Sequence, residues 1–165
     1  EPMDYESIQE QLHLIDQHAN FRAAELCLAT GGSGLFFTLL FGGNAFDGLN
    51  SFVVGAVINV FIWFLRKHHT AEFIITFSGG VVIALLILLF YAIGLGKNIN
   101  PMITGAIMPL VPGLAITNAI RDIIAGDYLS GGARLFDAVV VAIALATGAG
   151  SVMYIFGHMT GGIMG

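Results

Sequence analysis

From Ala23 onward the chain is a succession of apolar runs interrupted by short polar breaks. About 20 helical residues are needed to cross ~30 Å of hydrocarbon, and the pattern predicts five such spans. They run from about Ala24 to Phe41, Gly48 to Leu65, Glu72 to Leu95, Pro101 to Ala125 and Ala133 to Phe156. The first three breaks between them are Gly42-Gly43-Asn44, Arg66-Lys67-His68-His69 and Gly96-Lys97-Asn98. Asp47 is placed to cap the start of the second span, and Pro101 suits a first helical turn. Residues 1–20 are the one extended polar stretch. There Ile8, Leu12, Ile15 and Ala19 recur at helical spacing, opposite Glu6, Gln9, Glu10, His13 and Gln17, which predicts an amphipathic surface helix. The expected organisation is therefore a cytoplasmic amphipathic helix over 1–22, a five-helix transmembrane domain over 23–157 and a short tail over 158–165. The chain starts at Glu1 without Met, so residues upstream are expected to have been lost or processed away.

Composition supports the bilayer as solvent. Hydrophobic residues make up 56% and charged residues 10% of the chain, and the mean hydropathy is +0.86. A water-facing shell takes roughly 25% charged residues. The net charge of −5 lacks the basic footprint that nucleic acid requires. A single cysteine, Cys27, excludes an internal disulfide. The basic residues fix an expected orientation. With the N-terminus in the cytoplasm, Arg22, Arg66, Lys67, Arg121 and Arg134 lie inside and only Lys97 outside, as the positive-inside rule prefers. A rival folding, with Pro101–Ala125 as a re-entrant hairpin, would put Arg121 and Arg134 outside.

The fourth span carries the most unusual sequence. Pro109, Pro112 and Gly113 fall within five positions. Each proline removes an amide hydrogen and crowds the carbonyl four residues earlier, which predicts a break near mid-membrane. Such a break is tolerated only where protein buries it or a wet cavity adjoins it. It would start a new helix near Leu114 and Ala115, whose free amides favour a carboxylate. Beyond it, Gly113, Thr117, Asn118, Arg121 and Asp122 share one side of the helix. The reading is a substrate route. Thr117 and Asn118 would offer hydrogen bonds and Arg121 would attract anions; Asp122 would carry a proton. The competing reading is a proline kink filled by a neighbouring helix.

Asn59, in mid-span two, joins helices or lines that route. Asp137 and Glu25 are further candidates for proton coupling, or else pair with Arg134 and Arg22. The small faces Gly31–Gly34, Ser78-Gly79-Gly80 and Gly148–Ser151 read as close helix packing. His68-His69-Thr-Ala-Glu72 does not space ligands for a metal, since adjacent histidines diverge on a helix. Neither a catalytic pair nor a cofactor fingerprint is visible, so no enzyme and no cofactor are expected.

Gly105-Ala-Ile-Met-Pro-Leu-Val-Pro-Gly-Leu-Ala-Ile-Thr-Asn-Ala-Ile-Arg-Asp122 is followed by Ala125-Gly-Asp-Tyr-Leu-Ser-Gly-Gly-Ala-Arg-Leu-Phe-Asp137. Together with Leu40-Phe-Gly-Gly-Asn-Ala-Phe-Asp47 and Asn100-Pro101, these segments resemble the threonine/serine exporter (ThrE) family. The likeness runs from roughly Leu12 to Met153 and is greatest to the YjjP-like subunit of the family's split, two-subunit form. The resemblance implies an inner-membrane secondary exporter of small carboxylates, driven by the proton gradient: threonine and serine for fused members, succinate for the split form. It marks Pro109, Pro112, Gly113, Asn118, Arg121, Asp122 and Asp127 as signature positions. Family members carry a further N-terminal polar region with its own motif, which residues 1–22 do not reproduce. An odd number of spans leaves the C-terminus outside, so a second five-helix half would enter inverted. The expected partner is a small YjjB-like membrane subunit, more copies of this chain, or both. A passive channel or a structural subunit of a membrane complex is the alternative function.

Overall fold

The computed structural model describes residues 23–68 and 70–159. The amphipathic helix expected over 1–22, Arg22, His69 and residues 160–165 lie outside the described residues. Those described are helical: α1 (Ala23–Leu40), α2 (Ala45–Lys67), α3 (Glu72–Ala92), α4 (Ile99–Ile107), a 3-10 turn (Met108–Leu110), α5 (Gly113–Ile124) and α6 (Tyr128–Met159). Helices α2, α3 and α6 are each long and apolar enough to cross a membrane. The α4–α5 pair passes the same test as one span bent by 52°. Helix α1 is apolar but, at 18 residues, shorter. Three spans, or four with the bent pair, are therefore met by length and composition, and the count of five rests on α1 crossing as well.

Small residues bring the helices together where the sequence has its flat faces. A methyl group on Gly55 would stand 2.8 Å from the carbonyl oxygen of Thr30, and one on Gly34 would stand 2.9 Å from that of Ser51, so α1 and α2 meet backbone to backbone. Gly80 lies equally close to Leu145 of α6, and Gly148 meets the Phe77 carbonyl of α3. Such approach replaces the hydrophobic driving force that lipid removes. Helix α4 enters this bundle through Gly105, whose missing side chain leaves room for Thr38 of α1. Ser51 of α2 donates a hydrogen bond to the Met102 carbonyl at 3.3 Å. The core that results joins Val54 and Ile58 of α2, Ile83 and Ile87 of α3, and Met102 and Ala106 of α4.

One end of the bundle is locked by a single carboxylate. Asp47 is fully buried. Helix α2 starts three residues earlier than expected, so Asn44 is its cap and Asp47, expected as the cap, instead stands within the first turn and completes a capping box. Asp47 also accepts hydrogen bonds from the Lys97 amide at 2.8 Å and the Asn98 side chain at 2.8 Å. The α1–α2 and α3–α4 turns are thereby tied together. At the opposite end, Arg66 and Glu72 form an ion pair at 3.0 Å across the α2–α3 turn.

Candidate functional site at the helix break

Both prolines act locally as their chemistry requires. Pro109 sits at the start of the 3-10 turn, where the missing amide hydrogen breaks no helical bond. The ring of Pro112 forces Val111 out of helical conformation, to φ −65° and ψ 129°. Helix α5 then restarts at Gly113 with no side-chain cap. The break lies deeper along α4 than the expected midpoint. Leu110 reaches to 3.1 Å from where a methyl on Gly79 would be. Gly79 stands seven residues into the 21-residue α3, about 10 Å along an axis of about 31 Å at 1.5 Å per residue. Two features shift it: α4 begins at Ile99, ahead of Pro101, and its last turn is 3-10, with a rise of about 2 Å per residue.

A cavity of about 220 Å³ opens against the break. Its lining is drawn from α1 (Thr30), α2 (Asn59, Ile62, Arg66), α3 (Glu72, Ile75, Thr76), the break itself (Pro109, Leu110) and α6 (Val141). The polar groups are unevenly endowed. Thr30 donates its hydroxyl proton to the Leu26 carbonyl at 2.6 Å, and Thr76 donates to that of Glu72 at 2.8 Å. Each therefore faces the cavity chiefly as an acceptor. Asn59 directs one amide N–H to Cys27 Sγ at 3.7 Å, leaving its second N–H as a donor and its carbonyl oxygen as a further acceptor. Arg66 is the one cation in the lining and Glu72 the one anion; both side chains are more than half exposed.

The residues expected from sequence divide between this cavity and a separate helix face. Asn59 and Pro109 line the cavity. Pro112 lines a neighbouring apolar hollow with Ile107, Val111, Ala142, Leu145 and Ala146. Leu114, Ala115, Thr117, Asn118 and Arg121 are exposed on α5, and nothing lies within 4 Å of where a Gly113 side chain would be. Helix α5 rests on α6 through buried Ala119, whose carbonyl oxygen would be 2.8 Å from a methyl on Gly131. Asp122 is held by Arg134 at 2.9 Å, so Arg134 engages Asp122 where the sequence suggests Asp137. Asp137 and Glu25 are exposed. Asp127 serves the fold: its carboxylate accepts the Ser130 amide at 3.2 Å at the start of α6, just past the turn made by Gly126 at φ +93°.

Sequence reasoning misses Thr30, Arg66, Glu72 and Thr76. Threonines within apolar runs look like packing residues, and Arg66 reads only as a topology signal. The available clue is opposite charge on the two shoulders of a short interhelical turn.

Comparison with known proteins agrees with this architecture. The family model described as "Putative threonine/serine exporter" (ThrE) matches residues 1–156. No curated protein and no solved structure matches the chain. A match over nearly the whole sequence, on a bundle of apolar helices with one span broken, identifies a multi-pass membrane protein of a transporter family: the chain belongs to the ThrE family of threonine/serine exporters.

Proposed function

We propose that the chain is one subunit of an inner-membrane secondary exporter whose substrate, a small carboxylate metabolite of the threonine/serine type, binds in the cavity beside the α4–α5 break. The observation that carries this reading is the coincidence of the broken span with a polar cavity of about 220 Å³, since substrate sites of secondary transporters form at discontinuous helices. In this reading Arg66 holds the carboxylate from the cytoplasmic side, while Asn59 orients the remainder of the molecule. The exposed stripe of Thr117, Asn118 and Arg121 becomes a wall of the same route once a partner covers α5. That partner is a second copy of the chain or a small five-helix subunit. It is called for because Thr117, Asn118 and Arg121 are exposed on α5, where polar groups facing lipid are costly, and among the described residues α5 packs chiefly on α6. Asp122 is the acid placed to exchange a proton, Arg134 being its partner while it is charged. Counterflow of labelled threonine into proteoliposomes holding the native complex tests the assignment. Asn59→Leu removes an acceptor and fills the cavity, and is expected to lower the initial rate about tenfold, the effect of roughly 1.4 kcal/mol. A pH gradient, acid on the side toward which substrate moves, is expected to raise the wild-type rate. Undiminished counterflow in Asn59→Leu would remove the cavity from the route.

A further inference from the structure

We infer that the Arg66–Glu72 ion pair is the specificity element of this cavity, and that Glu72 selects substrates bearing an ammonium group next to their carboxylate. The inference rests on the cavity being the substrate's binding place, as proposed above. Three observations lead to it. First, the pair supplies one positive and one negative group, 3.0 Å apart, at the edge of the cavity. An α-amino acid zwitterion carries the complementary pair, and can replace the protein's internal contact with two of its own: carboxylate to Arg66, ammonium to Glu72.

Second, the pair is easily opened. Side-chain exposures of 62% and 55% put it among ion pairs that contribute little to stability, so splitting it sacrifices little and the substrate's own charges restore the balance. Third, the rest of the lining is short of donors. Thr30 and Thr76 have spent their protons on helix carbonyls, and Asn59, with one N–H toward Cys27, offers one remaining N–H beside its carbonyl oxygen. Ammonium and hydroxyl groups donate to such acceptors. A dicarboxylate brings only acceptors of its own, and its second carboxylate would face Glu72 across the cavity. Like charges so placed discriminate by repulsion as well as by lost attraction.

The test compares two ligands rather than one affinity. Competition binding to the purified native complex would use L-threonine, N-acetyl-L-threonine, which lacks the ammonium, and succinate. Wild type is expected to prefer threonine over N-acetyl-threonine by at least about tenfold. In Glu72→Gln that ratio should fall close to one, and succinate should gain on threonine. A merely structural effect of the substitution would weaken all three ligands together and leave the ratios in place. The charge-swapped variant Arg66→Glu, Glu72→Arg keeps one cation and one anion at the cavity edge, so it should retain both the wild-type melting temperature and a preference for threonine over N-acetyl-threonine. Loss of that preference in the swapped variant would count against the inference. Unchanged ratios in Glu72→Gln would overturn the inference. If Asn59→Leu meanwhile abolishes counterflow, the cavity stands and only the role of Glu72 falls. If Asn59→Leu is also without effect, the substrate binds elsewhere and both readings fall.

Discussion

At the scale of single residues, the bundle depends most on a side chain remote from the cavity. Asp47 accepts from the Asn44, Lys97 and Asn98 amides and from the Asn98 side chain, and it has no exposed surface. Removing the carboxylate leaves several donors without a partner, and hydrogen bonds to a charged group are worth about 1.5–3 kcal/mol each. Asp47→Ala is therefore expected to destabilise the folded protein by about 3 kcal/mol or more, seen as a lowered melting temperature in detergent. Asp137→Ala, at an exposed position, should change it by less than about 0.5 kcal/mol. Equal melting temperatures for the two variants would mean that the turns are held by something other than Asp47. The same carboxylate shows what could be read in advance. A carboxylate at Asp47 announces a nearby helix start, because capping is local, although Asn44 is the residue that caps. The bonds to Lys97 and Asn98 cross 50 and 51 positions of sequence and exist only once two turns have come together.

At the scale of elements, runs of apolar residues located α2, α3 and α6 to within a few positions, and the prolines located the break. Periodicity is a local property, so it reports helices well. It could not report that α5 would swing 52° away from α4 and settle chiefly on α6, which depends on Gly131 admitting Ala119 and Ile123. Nor could it place Arg66 and Glu72 in one cavity with Pro109, a meeting of three separate segments. The cause of the bend can be tested directly. Replacing Pro109 and Pro112 by Ala restores two amide donors and frees Val111 from its extended conformation, so the pair should straighten. Between spin labels at Asn100 and Ile124, two arms of about 16–17 Å at 1.5 Å per residue and a bend of 52° imply a lengthening of about 3 Å. Pulsed electron resonance resolves that change, and counterflow should fall with it. A distance unaltered by the double substitution would assign the bend to the packing of α5 on α6 instead.

At the scale of the whole molecule, what matters is which ends share a side of the membrane, because that decides whether the break belongs to a crossing or to a re-entrant loop. Two geometrical constraints bear on it. The Asp47 latch places the α1–α2 turn beside the α3–α4 turn. The 52° bend is well short of a reversal: a 12-residue α5 still advances about 11 Å along the direction of α4 at 1.5 Å per residue, about the depth that separates Gly79 from the start of α3. The α5–α6 turn should then emerge beside Arg66 and Glu72, opposite Lys97. This also concentrates Arg66, Lys67, Arg121 and Arg134 at one end, as expected of a cytoplasmic face. With Cys27 replaced by Ser, single cysteines at Ala45 and Lys97 should react with an impermeant maleimide from outside the cell. Those at Lys67 and Ala125 should react only after the membrane is opened. Labelling of Ala125 together with Lys97 would make the fourth span a re-entrant loop, and the cavity at its break would then lack a route to the other side through this chain.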